Sequence, residues 1–462
     1  MRTVISVEPG GPEQPGLRVR LALAPFHIPD AKTPAAVDLS PDQLASVWGQ
    51  PHAVQAYGTE LATKLGAHPG VQQVLRSAWL APAGTRWPIY FQMFDSQTQR
   101  IRWESLCAPS GQFLALDPRW PFGRIAELEV DRPKAHLYDP PLRLMALVSA
   151  AGVSPQPEWS ALVSAVESAR GRGLPVTLRA LVGNEGLHDK IAQEVGQGTL
   201  RDVTVTPMPA NGIGVLDEIA AFRPHLLHAF CHGFAPSGLA ELRFATFQDE
   251  VVGDPAGSTV LRVDELEEVA SRPGVNLWLV TLNCCQGAAA GSAPALAHAL
   301  VARAGIPAVV GMAEPIAASD AHTFCGGLYD ALFRLLAPRL APGAANQQVE
   351  VEWAEALQRA RVALRDQHGS AADEREWLLP VLYVRPEAFH LTVLAALAPG
   401  VPPALAPEEL ATLQRQAAMV AGLLASLPPD APEQLRQRLV EMVKDLPPLL
   451  RPDRSGNFPA GS

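Results

Sequence analysis

Cysteine is scarce in this 462-residue sequence: there are five, an odd number, and two of them are adjacent at Cys284 and Cys285. A disulfide framework needs spaced, paired cysteines, so reduced thiols in a cytoplasmic protein are expected instead. Long apolar runs are also missing. Nothing approaches the roughly 18 consecutive apolar residues of a membrane helix, so no membrane partner is expected. Residues 1–16 carry one arginine and three prolines and lack the apolar core of a secretory leader. Basic runs are absent too. Lysine and arginine are scattered, the formal charge is −10 and the pI is near 5.7, which excludes nucleic acid as the main direct partner. No repeat with a period of about 20–50 residues is present, which argues against a solenoid.

What is present is a folded, mixed chain. Nearly half its residues are apolar and 18% are charged, enough to bury a substantial core. Three textures follow one another. Residues 1–135 read as a non-catalytic α/β region, with strands near 17–24 and 87–94 around a helical stretch at 42–65. Residues 136–395 alternate short apolar runs with amphipathic ones. Strands are expected at 142–150, 174–182, 201–207, 225–231, 275–283, 306–312 and 377–384. Helices are expected at 158–170, 186–194, 215–222, 264–270, 293–304, 320–336 and 349–366. Apolar strands each followed by a helix imply a mainly parallel sheet covered on both faces, with chemistry outside the carboxyl ends of the strands. Residues 400–462 form a proline-punctuated helical tail, with helices at 408–427 and 433–444 broken by Pro428 and Pro429.

Two strand ends carry reactive residues. One reads His228-Ala-Phe-Cys-His232-Gly233, the other Thr281-Leu-Asn-Cys284-Cys285-Gln-Gly287. A cysteine nucleophile needs a thiolate, and a neighbouring imidazole is the usual means of forming one at neutral pH. On the ends of adjacent parallel strands, His232 and Cys285 would share one sheet edge. Gly233, without a side chain, would offer its N–H, and with that of Cys285 would make an oxyanion hole. The segment around Cys285 also matches the caspase pattern of cysteine followed by glutamine and glycine with a histidine about 50 residues upstream, although Asn283 stands where caspases have glutamine.

These segments resemble the CHAT family, the bacterial branch of caspase-like proteins. The family's "LHxxxHG" strand end corresponds to Leu227-His228 through His232-Gly233, and its "LNAC" strand end to Leu282 through Cys285. The likeness continues in Gly305-Ile-Pro-Ala-Val-Val-Gly311, in the closing Trp377-Leu-Leu-Pro-Val-Leu-Tyr383, and upstream in Arg102-Trp-Glu-Ser-Leu106 and Phe113-Leu-Ala-Leu116. It spans roughly residues 50–385. The resemblance implies a cysteine endopeptidase with His232 as general base and Cys285 as nucleophile. It further implies a protein substrate and an activating protein or ligand in a bacterial defence or cell-death pathway. Cys284 replaces the family's usual alanine, Gly287 stands where a serine or threonine is common, and no tetratricopeptide repeats accompany the domain. Neither replacement removes a member of the dyad.

Other residues admit two readings. His228 is either a core histidine or one that helps to fix the catalytic imidazole and line the cleft. A zinc site from His228, Cys231, His232, Cys284 and Cys285 fails because successive strand residues point to opposite faces, so no metal and no cofactor is expected. Cys107 and Cys325 read as core or helix-face thiols. Residues 248–258 are either an exposed connection or an element that shapes the cleft. The tail either packs on the main domain or serves as a docking or autoinhibitory element. Related metacaspases have an aspartate two residues before the cysteine and prefer basic residues at the cleavage site. Here that position is the neutral Asn283, so the resemblance implies an uncharged or modestly polar residue before the scissile bond. In that arrangement His228 lines the cleft, and Asp320 adds a charge if its loop reaches it. The competing reading is a non-proteolytic binding scaffold on the same fold.

Overall fold

A computed structural model describes residues 2–10, 16–28, 33–39, 44, 47, 53–129, 136–234, 241–254, 257–272, 274–284, 292–344, 347–369 and 374–394. The chain opens with strands β1 (Thr3–Pro9), β2 (Leu17–Leu23) and β3 (Ala35–Val37), then helices α1 (Ala53–Leu65) and α2 (Pro69–Trp79). Strands β4 (Ile89–Met93) and β5 (Phe122–Ala126) complete this part. Next come β6 (His136–Tyr138), β7 (Leu142–Val148), α3 (Gln156–Gly171), β8 (Val176–Val182), α4 (Glu185–Gly196), β9 (Val203–Pro207) and α5 (Gly212–Phe222). They lead to β10 (Leu226–Phe234), β11 (Glu241–Phe244), α6 (Phe247–Val252), β12 (Thr259–Arg262), α7 (Val263–Ser271), β13 (Leu279–Cys284) and α8 (Ser292–Ala302). The described part closes with β14 (Ala308–Met312), α9 (Ala318–Leu336), β15 (Gln348–Glu350), α10 (Trp353–Gln367), β16 (Pro380–Val384) and β17 (His390–Val393).

The strand expectations from 142 to 384 correspond to β7, β8, β9, β10, β13, β14 and β16. Their apolar composition follows from burial on both faces: five consecutive residues of β7, Leu144 to Val148, are fully buried. The helices are amphipathic. In α9 the residues Ala321, Phe324, Cys325, Leu328 and Leu332 recur at three- and four-residue steps, and all are buried. Asn184 and Asn211 cap α4 and α5 by accepting the N–H of Leu187 and of Gly214.

The main sheet runs β3-β2-β1-β4-β5-β16-β14-β13-β10-β7-β8-β9. From β14 to β9 every pairing is parallel, and so is every pairing from β1 through β4 and β5 to β16. The two parallel halves run in opposite senses and meet where β14 pairs antiparallel with β16. The result is a mixed α/β fold with a large, mostly parallel sheet flanked by helices, as its alternation implies.

Three features are additional to the sequence reading. Strands β1 and β5 and helix α2 belong to the N-terminal part, where β1 is a central strand between β2 and β4. A single sheet also crosses the boundary near residue 135, because Tyr383 and Val384 of β16 pair with Arg124 and Ile125 of β5. Finally, β11 and β12 form an antiparallel pair joined to the end of β10. The tail helices at 408–427 and 433–444 lie outside the described residues. Among the described residues, no helix is long and apolar enough to cross a membrane.

Candidate active site

In the parallel half, β8 and β9 lie on one side of β7, and β10, β13 and β14 on the other. Strand order therefore reverses between β7 and β10, and in such sheets ligands bind beyond the carboxyl ends of the strands at this point. The carboxyl end of β10 carries His232. Alongside it, β13 runs parallel with Cys284 paired opposite Cys231. His232 is the next residue on the first strand, and Cys285 follows Cys284 in the sequence. Cys285 itself lies outside the described residues.

His232 is buried, and its Nε2 stands 2.8 Å from the carbonyl oxygen of Ala151, just beyond β7. A carbonyl only accepts, so Nε2 carries the proton and donates it, and in the neutral ring Nδ1 is the nitrogen able to take a proton. The Ala151 carbonyl thus fixes the tautomer, and it reaches across the point where the strand order reverses.

Gly233 is not at a free strand end. Parallel pairing with β13 stops at Cys231, but β10 continues and pairs antiparallel with β11, setting His232 opposite Arg243 and Gly233 opposite Leu242. The connection between β11 and β12 holds α6, capped by Thr246 and Asp249 in a reciprocal capping box. Asp249 also accepts from the backbone N–H and hydroxyl of Ser258. These bonds outweigh its desolvation and hold its carboxyl below the ordinary range. A cavity of about 610 Å³ lies here, lined by Ala151, Gly152, Asn184, Asp249, Glu250 and Asp254 among others. Within the 248–258 segment, Asp249, Glu250, Gly253 and Asp254 therefore form one wall of a cavity that Ala151 also lines.

The remaining predicted residues sit deeper. His228 and Asn283 are wholly buried, and Asp320 is nearly so. Asn283 donates to Glu158 Oε1 at 2.7 Å and to the carbonyl of Ala321 at 2.9 Å. His228 Nε2 lies 2.9 Å from the same Oε1, while His322 Nδ1 lies 2.7 Å from Oε2. Asp320 accepts from Gln367 and His368 on the far end of α10. All three predicted substrate-binding side chains are thus engaged in bonds inside the protein and turn no free face to solvent.

Glu158 is the residue that sequence reasoning missed. It lies in the first turn of α3, where an acidic side chain ordinarily reads as a solvated partner of the helix dipole. Here it is fully buried. Desolvation pushes its carboxyl up, but the bonds from His228, His322 and Asn283 outweigh this and hold it below its ordinary value. The thiol of Cys325 bonds to it as well, and burial together with this carboxylate raises that thiol well above its usual range. Glu158, His228 and Cys325 hold ligand-type atoms within 4.8 Å of one another. Ala151 could not be found from sequence either, since its contribution is a backbone carbonyl.

The family model of the CHAT domain matches residues 55–390. The chain belongs to the CHAT family. The match covers most of the chain, including β10, β13 and the closing strand β16, and it begins within α1. A CHAT domain is associated with caspase-like cysteine peptidases, and the sheet of this CHAT protein, large, mostly parallel and flanked by helices, is of that caspase-like kind. No curated protein matches the chain.

Proposed function

We propose that this CHAT protein is a cysteine endopeptidase that cleaves a protein partner, with Cys285 as nucleophile and His232 as general base. The observation that carries the reading is the bond from His232 Nε2 to the Ala151 carbonyl, which leaves Nδ1 as the basic nitrogen on the strand beside the one that Cys285 follows. In this mechanism Nδ1 takes the thiol proton, the thiolate attacks the scissile carbonyl, and the same nitrogen returns the proton to the leaving amine. The N–H groups of Gly233 and Cys285 stabilise the tetrahedral oxyanion. Water then hydrolyses the thioester with the imidazole again as base. The protein works in the cytoplasm and is activated on demand by a protein or ligand, in a bacterial defence or cell-death response.

Labelling with a thiol-directed peptide electrophile tests this, comparing the native protein with Cys285→Ala and His232→Ala. The proposal expects labelling at Cys285, lost in the first variant and strongly reduced in the second. Equal labelling of several cysteines, insensitive to both substitutions, would leave either a peptidase held inactive before its trigger or a binding scaffold. The same result in the presence of the activator would overturn the proposal.

A further inference from the structure

We propose that Glu158 is a positioning residue for the dyad, a buried carboxylate that holds the ends of β10 and β13 and the start of α9 in one working arrangement. The inference rests on the assignment of His232 and Cys285 above.

Four side chains from three elements converge on this one residue of α3. His228 comes from β10, Asn283 from β13, and His322 and Cys325 from α9. Asn283 extends the tie through its second bond to Ala321, also in α9. Each strand contact lies a short way upstream of a dyad member: His228 four residues before His232, Asn283 two residues before Cys285. Side chains alternate along a strand, so His228, Phe230 and His232 share a face. Their surroundings agree: His228 stands edge-on to Tyr329 of α9, and the ring of Phe230 lies 5.4 Å from that of His322. A shift of the Glu158 contacts is therefore carried along stiff backbone to the dyad.

The chemistry of the cluster points the same way. Burying a carboxylate is costly unless every contact compensates it, and apolar residues would pack α3 on the sheet more cheaply. What a carboxylate adds is direction: donors from separate elements must aim at its two oxygens. The orientation of Asn283 follows, because turning its amide over would set Oδ1 against the carboxylate. Fixing it leaves Oδ1 buried without a partner, as is Nδ1 of His228. Unpartnered buried polar atoms are rare, and two of them around one carboxylate mark a cluster built for geometry more than for stability.

The test compares Glu158→Gln, Asn283→Leu and His322→Gln in the full chain, using two reagents on Cys285. Iodoacetamide is small and needs no substrate pocket, whereas the peptide electrophile needs both pocket and dyad. Near-UV circular dichroism and the thermal midpoint report folding. His322 is partly exposed, so its variant keeps the test available if Glu158→Gln fails to fold. The expected result is a loss of at least tenfold in the iodoacetamide rate in folded variants, with the pH profile of alkylation moved toward that of His232→Ala. An unchanged iodoacetamide rate in folded variants overturns the proposal, whether or not the peptide electrophile slows. Failure of the dyad assignment shows separately, as native Cys285 alkylation that is indifferent to His232→Ala.

Discussion

The His232 imidazole donates to the Ala151 carbonyl across the point where the sheet reverses its strand order. The bond ties the proposed base to the end of the neighbouring strand β7, so the ring cannot turn without losing a buried bond.

A kinetic expectation follows for His232→Ala. An unassisted thiol with a pKa near 8.5 is about 3% thiolate at pH 7. Without its base, Cys285 should alkylate up to about 30-fold more slowly at pH 7 and recover as the pH approaches 8.5. Stopped-flow alkylation across pH 6–9 measures this. Parallel native and variant profiles would count against His232 as the base.

The support beneath Ala151 is equally specific. Gly183 follows β8, and a Cβ there would fall 2.0 Å from the carbonyl of Ala245 and 2.2 Å from Ser149 Oγ. Ser149 Oγ itself donates to the Ala245 carbonyl at 2.5 Å, and Ser149 N–H bonds to Phe230 at 2.8 Å. Gly183→Ala must therefore displace the Ala245 backbone or Ser149, which lies just beyond β7 and two residues before Ala151. The expected cost is about 1–3 kcal/mol, with slower Cys285 alkylation in the protein that remains folded. Denaturant titration gives the first and alkylation the second. A stable variant with native reactivity would show that the β7 end does not govern His232.

Buried charges join β5, α10 and β16. Arg124 of β5 binds Glu104 through Nε at 2.8 Å and Nη2 at 2.5 Å, and Arg361 of α10 stands 3.9 Å from the same carboxylate. Burial raises the carboxyl of Glu104, but the two arginines outweigh this and hold it low. Burial also pulls Arg361 down to about 10, with Glu104 opposing the fall and Arg124 adding to it. Glu104→Gln leaves two buried cations without their anion, and breaking such a set costs about 3–5 kcal/mol. Arg124→Met leaves a carboxylate still paired with Arg361, so it should cost less. Chemical denaturation of both variants checks the order, and a reversed order would mean that the site is held by packing around Arg124.

The alternation from β7 to β16 was legible because strands covered on both faces must be apolar and helices on a sheet must be amphipathic. His232 and Cys285 could be singled out as candidates because each follows an apolar run in the sequence. The rest left weaker signals. Strands β11 and β12 are four residues each; β11 pairs with the end of β10 and β12 with β11, which a linear pattern does not reveal. The first strand lies in a proline-containing stretch that reads only as lacking a leader's apolar core, yet Ile5 and Val7 are fully buried. Asn283 read as a cleft residue and His228 as either a core or a cleft histidine, because both neighbour the dyad in sequence. They are turned inward by Glu158, whose burial depends on packing from α9, a helix more than 150 residues downstream.

Acid should weaken the fold through His225. This ring is buried, stacked on Trp278 with centroids 4.2 Å apart, and its Nδ1 accepts the backbone N–H of Arg143. Burial, with the Arg143 charge beside it, lowers its pKa well below the ordinary value. The unfolded chain takes up a proton near pH 6.5 while the folded one does not, so between the two values the unfolded state binds more protons. Stability then rises with pH across this window and is lost on acidification below about 6.5, by up to about 1.4 kcal/mol per pH unit for each such group. His298, also lowered by burial, adds to the same loss. The carboxylates of Glu104, Glu158 and Asp249 are held low, so their contribution is lost only below about pH 4.5. Denaturant titrations from pH 7.5 to 5.5 on the native protein and His225→Phe separate these effects. The variant removes the titrating ring and keeps an aromatic face for Trp278, so its stability should fall less steeply with acid. Identical slopes would show that His225 protonates in the folded state as easily as in the unfolded one.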